Sequence, residues 1–597
     1  MVKPVQELTN KTTVTRNYIM REPLNSNNVT KLYRKAFFDF HNHATVKDLC
    51  QAYDPEKWAD CLADAGVQAS SIFVKCGLGY SYYRKGQYGI VHPKLPAGVD
   101  MVEEQVEAFH RRDIGAIGYY YTYSSNILPE EHPEWLLINE SGKPDGNPEL
   151  SALSLCLVGP FKEEFMIPQI REIVSLYDLD GLFFDGTFAK GICYCNDCKR
   201  RYKADTGCSL VPTEEPDLRR KYNDWRLAEY RKLRTDICNV IHEIKPDLVV
   251  SFNASYVPRQ PEAVPGEVDS LMIDVYPYDQ VFQGSYHAAC FAMTGKPFDI
   301  MNTAFLEWWG DWGCKPAVAM QLEVAPVMAY GGIPWPGFQM SYDYSVPDAV
   351  MREYGKLFDF IAERETLVKD TEQVPFAAIL IETKQHVLGD HFKEPYDSFL
   401  DERRFHAIHR FMQETMLPHH FVTEDILERR MDEFKVIVLS DQRLISTAMV
   451  EQLAKWVENG GILIATELSG IKSGLHKLLG VNVDVEFPHS HGYIEVKNGP
   501  LSAGILPMAH QVKTGFYITS LDEDVETLAD LRSVYLRDDG RYLRLLSPPN
   551  GDVVGPAISL RYHGQGKAVY FAGDLFSGYT NKNQWNLKLI LSNLFGF

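Results

Sequence analysis

Between about residues 36 and 340 short apolar runs alternate with amphipathic stretches of helical period. Strands and helices taking turns in this way build a parallel α/β sheet. The apolar runs predict strands at Phe37–His41, Ala69–Cys76, Ala116–Tyr121, Asp180–Asp185, Leu248–Asn253, Ser270–Val275, Pro297–Asn302 and Gly332–Gly337. Helical stretches between them cover Asp100–Arg112, Phe161–Tyr177 and the charge-rich Asp217–Ile244. Eight such strands over this length is what a (β/α)8 TIM barrel occupies. An open doubly wound sheet is the competitor, because periodicity alone does not show closure.

A helix at Ala349–Arg364 follows, and Val374-Pro-Phe-Ala-Ala-Ile-Leu-Ile begins a new apolar strand. Phe434-Lys-Val-Ile-Val-Leu-Ser, a helix over Ala448–Asn459 and the strand Ile462-Leu-Ile-Ala-Thr continue a smaller α/β unit. Asn459-Gly460-Gly461 is a strong stop for that helix. Beyond about residue 483 short alternating strands take over, including Arg541-Tyr-Leu-Arg-Leu-Leu and Ala557-Ile-Ser-Leu-Arg-Tyr. The expected fold class is therefore α/β: a barrel over 1–365, a Rossmann-like (amidotransferase-like) domain over 366–482, and a β-rich region over 483–597. The last strand and helix, Lys567–Gly573 and Leu587–Leu594, are candidates to rejoin the second domain.

At 597 residues the chain exceeds what one core supports. A formal charge of −20 argues against a nucleic-acid or anionic-membrane partner, both of which need a basic face. The N-terminus has no apolar signal-peptide core, and no run reaches the ~18 apolar residues of a membrane span. The eleven cysteines are odd in number and scattered apart from one cluster. Reduced thiols in a cytoplasmic protein are the expectation.

Two patterns carry chemistry. Leu179-Asp-Gly-Leu-Phe-Phe-Asp185 is an apolar run ending in a carboxylate, where a barrel strand opens on its active face. Burying that carboxylate without a partner would be costly. Eight residues on, Cys193-Tyr-Cys195-Asn-Asp-Cys198 sets three thiols close enough to converge on one metal ion. His41-Asn-His43 at the first strand end has the spacing of a metal-dependent amidohydrolase. The predicted fifth, sixth and eighth strand ends bring no histidine to complete such a site. A non-catalytic carbohydrate-binding barrel is the other alternative.

Phe38-Asp-Phe-His41, Phe73-Val-Lys75-Cys-Gly-Leu-Gly-Tyr80 and Tyr177–Gly186 resemble the first, second and fourth strands of glycoside hydrolase family 29 α-L-fucosidases. In that family Lys-His-His follows the second strand; here Lys75 is followed by Cys76 and Gly77. The cysteine motif is similar to the four-thiolate zinc site of family 42 β-galactosidases, with Cys156 as the implied fourth ligand and Cys208 as the spare. Val436–Thr466 resembles the trimerisation domain of those enzymes. The overall likeness is to fucosidase-like hypothetical glycosyl hydrolases.

The resemblance implies a retaining, exo-acting glycosidase that removes a terminal sugar, fucosidase-like or galactosidase-like, by double displacement. Asp185 is its implied nucleophile. Glu307, in the aromatic segment Phe305-Leu-Glu-Trp308-Trp309-Gly-Asp311-Trp312, is the implied acid/base, with Asp274 and Asp311 as rivals. His41, His43, Lys75 and Asn253 are candidate hydroxyl binders, as is Asp274, and Tyr80, Tyr276 and Trp309 are candidate stacking platforms. A structural zinc on Cys156, Cys193, Cys195 and Cys198, no organic cofactor, an oligosaccharide or glycoside substrate and a homo-oligomer (dimer or trimer) complete the expectations.

Overall fold

Eight parallel strands form the first sheet of the computed structural model, which describes residues 26–147, 152–187, 191–213, 215–260, 262–276, 279–307, 311–371, 373–383, 402–536, 541, 548–580 and 584–596. They are β1 (Lys35–Asp39), β2 (Ala69–Lys75), β3 (Gly115–Tyr121), β4 (Gly181–Asp185), β5 (Val249–Asn253), β6 (Ser270–Asp274), β7 (Phe298–Met301) and β8. The last is split into Ile333–Pro334 and Gly337–Gln339. Its first piece pairs with β7 and its second with β1, so the sheet closes on itself. Pro336 lacks an N–H, yet its carbonyl accepts from Phe37 N–H, and Gly337 bonds back to Asn302. The open-sheet alternative is thereby corrected to a barrel.

β2 and β3 are buried along their whole length, as both faces of a parallel sheet between core and helices must be. Side chains of alternate residues fill the barrel. Lys35 and Asp299 form a buried ion pair at 2.7 Å near one end. Above them Phe37, Phe73, Tyr119, Phe183 and Trp335 make an aromatic plug, with Phe73 stacked on Tyr119 at 4.3 Å. The layer above the plug carries Asp39, Asp185, Asn253, Asp274 and Gln339, at the carboxyl ends of their strands.

The second sheet contains β9 (Ala377–Leu380), β10 (His419–Val422), β11 (Val436–Ser440), β12 (Ile462–Thr466), β13 (Gly492–Val496), β14 (His510–Val512), β15 (Glu526–Val534), β16 (Pro549–His563) and β17 (Gly566–Phe571). Their spatial order is β10-β9-β11-β12-β17-β16-β15-β13-β14. From β10 to β17 the pairing is parallel and beyond it antiparallel, so β17 joins the α/β half to the β-rich half. The helix Thr447–Glu458 ends at Asn459, and Gly460 takes φ +113°. Of the strand expected to start at Arg541, all but Arg541 itself lies outside the described residues. Among the described residues no helix is long and apolar enough to cross a membrane.

Histidines line the junction of the two sheets. The barrel helix Gln280–Phe291 meets the helix Glu402–Glu414 and β10 there. Ser285 Oγ lies 2.9 Å from His409 Nε2, and His409 Nδ1 lies 2.7 Å from His419 Nε2. Burial holds His419 down to about 4 and His420 to about 3, and pushes His287 and His409 well below the ordinary value. His406, Arg259 and Arg430 add positive charge beside them, and Glu402 lies 3.6 Å from His406. All four lowered imidazoles are neutral at pH 7. The unfolded chain protonates them below about 6.5, so their contribution to stability is complete above that pH and is lost as pH falls toward 4. Melting temperature should therefore drop over this window. Among the described residues neither ring nitrogen of His420 has a hydrogen-bond partner, so His420→Leu should flatten the drop. A variant with an unchanged pH profile would contradict this.

Candidate active site and thiolate cluster

Asp185 ends β4 at the barrel mouth, and each of its oxygens is held. Tyr119 Oη donates to Oδ2 at 2.7 Å and Asn253 Nδ2 donates to Oδ1 at 3.0 Å. Gly186 follows with φ +83°, and a Cβ there would meet the Tyr123 ring at 2.1 Å, so only glycine fits. Burial pushes the Asp185 carboxyl up and the charge of Asp274 adds to this, while Tyr119, Asn253 and His41 oppose it. Asn253 also accepts the Asp274 N–H at 3.4 Å. One amide thus spans from Asp185 on β4 to Asp274 on β6.

Asp274 Oδ1 and Gln339 Oε1 are buried and, among the described residues, make no hydrogen bond; Asp39 Oδ1 has only His41 Nε2 near it, at 3.4 Å. Buried acceptors of this kind are costly unless a ligand or water supplies donors. Burial raises the Asp39 carboxyl against the pull of His41 and two backbone N–H groups.

Other sequence-derived residues fall in different places. Glu307 lies exposed on the loop after β7, and its backbone N–H is held by Asp311 Oδ2 at 2.6 Å. Asp311 also accepts from the N–H groups of Leu306 and Gly313, and so staples the loop. Lys75 is fully buried beyond a bulge in β2; its Nζ donates to the Tyr121 carbonyl at 2.6 Å and lies 5.2 Å from the Tyr120 ring centre. Burial lowers it to about 8. His41 bonds to Gly77, Tyr119 and Asp39. His43 is exposed and turned into a local contact with Thr45. Tyr80 packs on His92, and Tyr276 lies under the Arg259 guanidinium at 5.4 Å. Trp309 lies outside the described residues.

Sequence reasoning missed Tyr119, Asp39 and Arg259. The first two carried a signal. Strand alternation puts Tyr119 on the same face as Tyr121, and Phe-Phe-Asp39 is an apolar run ending in a carboxylate just as at Asp185. Arg259 is brought to Asp274 and Tyr276 by a loop, which periodicity does not reveal.

The thiols of Cys156, Cys193, Cys195 and Cys198 all lie within 4.8 Å of one another. Among the described residues this is the one group of three or more potential ligands that could hold a metal; His41 and His43 belong to no such group. The separations are 3.4 Å for Cys156–Cys198 and 3.9 Å for Cys195–Cys156. Four sulfurs tetrahedrally around zinc at ~2.3 Å would stand about 3.8 Å apart, so the donor set fits. Cys195 caps the helix Asn196–Thr206 and accepts the Cys198 N–H. Hydrogen bonds from the other three thiols pull Cys195 down, while hydrogen bonding within the cluster, and then burial, push Cys156 and Cys198 up.

A closed barrel with paired carboxylates at its mouth is the architecture of a barrel glycoside hydrolase. Residues 54–186 match the family model described as hypothetical glycosyl hydrolase 6, and residues 377–482 match the β-galactosidase trimerisation domain. These matches cover the first half of the barrel and the start of the second unit, and they support a glycoside hydrolase with a trimerisation-type unit. No curated protein sequence matches it. Among solved structures, α-L-fucosidase isoenzyme 2 from Paenibacillus thiaminolyticus is similar with a TM-score of 0.81 at 22% identity, covering 94% of this chain and 83% of that one. A β-galactosidase from Bacillus circulans sp. alkalophilus gives 0.70 at 14% identity, covering 94% and 89%. The exo-β-1,4-mannosidase Op5Man5 from Opitutaceae bacterium strain TAV5 gives 0.56 at 11%, covering 95% and 96%. At these identities the likeness is one of fold.

Proposed function

We infer that the protein is a retaining, exo-acting glycosidase that releases a terminal neutral sugar, fucosidase-like or galactosidase-like, from an oligosaccharide or glycoside. The observation that carries this is Asp185: a strand-end carboxylate with one donor fixed on each oxygen and a second carboxylate, Asp274, beside it. Asp185 attacks the anomeric carbon as the bond to the leaving oxygen breaks, and that oxygen takes a proton from Glu307. In the second step Glu307 removes a proton from water, the water oxygen bonds to the anomeric carbon, and Asp185 departs. Asp274 accepts a sugar hydroxyl through its unpartnered Oδ1, with Tyr80 and Tyr276 flanking. Zinc on the four cysteines is structural, since four protein ligands leave no open position. The second unit supports a homo-oligomer, and the reduced cysteines fit a cytoplasmic enzyme.

The test is a panel of aryl α-L-fucoside, β-D-galactoside and α-L-arabinoside with the wild type and Glu307→Gln. The wild type should turn over at least one member. Glu307→Gln should slow poor leaving groups far more than activated ones, with azide restoring the deglycosylation step. Equal losses on both leaving groups would move the proton donor to Asp274 or Asp311. No turnover of any glycoside would favour a non-catalytic sugar-binding barrel.

A further inference from the structure

Hydrogen bonds around His41 run in one direction. Gly77 donates its N–H to His41 Nδ1 at 2.8 Å, so the neutral imidazole carries its proton on Nε2. That nitrogen lies 3.3 Å from Tyr119 Oη and 3.4 Å from Asp39 Oδ1. Tyr119 in turn donates its only hydroxyl proton to Asp185 Oδ2. A hydroxyl that accepts one hydrogen bond donates the next more strongly. We propose that His41, held by Asp39 and Gly77, acts through Tyr119 as a positioning pair that keeps Asp185 ionised and its carboxylate plane fixed.

This rests on Asp185 being the nucleophile, and it answers a difficulty of that role. A nucleophile must be an anion, yet Asp185 is buried and has the Asp274 carboxylate beside it. Asp274 on β6, Tyr119 on β3, Asn253 on β5 and His41 just past β1 act on it directly, with Arg259 beyond Asp274; Asp39 and Tyr121 act on Tyr119, and Asp39 and Cys76 on His41. Burial and Asp274 both favour the protonated acid, so donors on its two oxygens must offset them. Asn253 supplies one donor directly. The other comes from Tyr119, whose own oxygen His41 polarises. Neither His41 nor Tyr119 needs to touch the sugar to do this.

Water-soluble carbodiimide with glycine ethyl ester labels protonated carboxyl groups, so the pH midpoint of Asp185 labelling, read by peptide mass spectrometry on the full chain, tests the proposal without turnover. Tyr119→Phe should raise that midpoint by about one pH unit. His41→Gln should raise it less, and the double variant should match Tyr119→Phe alone, because His41 acts through the tyrosine. Tyr121→Phe, whose ring lies 5.5 Å from His41, should leave it unchanged. An unmoved midpoint in Tyr119→Phe overturns the proposal, as does full additivity of the two shifts. The acid limb of kcat/KM on the aryl glycoside should follow the labelling midpoint. If labelling shifts and the limb does not, the hydrogen-bonded line stands and the nucleophile assignment falls.

Discussion

Asp185→Asn should lower kcat on an aryl glycoside by about 10⁴-fold or more, the scale on which removing a catalytic nucleophile acts. That corresponds to about 5.5 kcal/mol of transition-state stabilisation. An amide of nearly equal volume cannot form the glycosyl ester, so covalent catalysis disappears while the pocket keeps its shape. The structural cost is small and specific. Tyr119 and Asn253 both donate to Asp185, and an asparagine presents an acceptor to only one of them. One hydrogen bond of about 1 kcal/mol is therefore lost. The variant should stay folded and still bind the released sugar, as measured by calorimetry. Activity above a few per cent of wild type, in protein free of contaminating glycosidase, would remove Asp185 from the mechanism.

The second large effect is expected at the cysteines. Purified protein should hold about one zinc per chain on Cys156, Cys193, Cys195 and Cys198. Cys195→Ser separates two roles of that residue. Serine is a good helix N-cap, so the start of Asn196–Thr206 keeps its cap while the metal loses a thiolate. Zinc content should fall toward zero. Melting temperature should drop by several degrees, because binding energy at such a site is folding energy. The cluster begins eight residues past Asp185. Activity per folded molecule should change by less than about twofold, since a closed thiolate site activates no water. Elemental analysis showing no zinc in fresh protein would end this assignment. Activity lost to a chelator with the fold intact would revive a catalytic metal.

The sequence located the barrel strands closely: six of the eight expected segments both start and end within one residue of the observed boundaries, and Ala69–Lys75 and Ser270–Asp274 begin where expected. Parallel strands buried on both faces are short apolar runs, and such runs survive in the chain without knowledge of neighbours. The split of β8 around Trp335-Pro336 was not legible, because it follows from closing the ring against β1. Nor was the outward turn of Lys75, which a bulge between Phe73 and Lys75 produces. Sequence alternation alone would have aimed that lysine into the barrel.

What the chain determined by itself is the placement of single groups: a carboxylate ending the apolar run at Asp185, thiols spaced to share one ion, and alternation fine enough to lay out each strand. These are local properties, set by periodicity and by the cost of burying charge. The tertiary structure alone decided which groups meet. It joined Cys156 to a motif nearly 40 residues away, put Tyr119 and Asn253 on the two oxygens of Asp185, and drew Arg259 to Asp274. It also left Glu307 exposed and tied its loop to Asp311. Such meetings depend on barrel closure and on loop paths between strands, and neither is written in the period of the residues that meet.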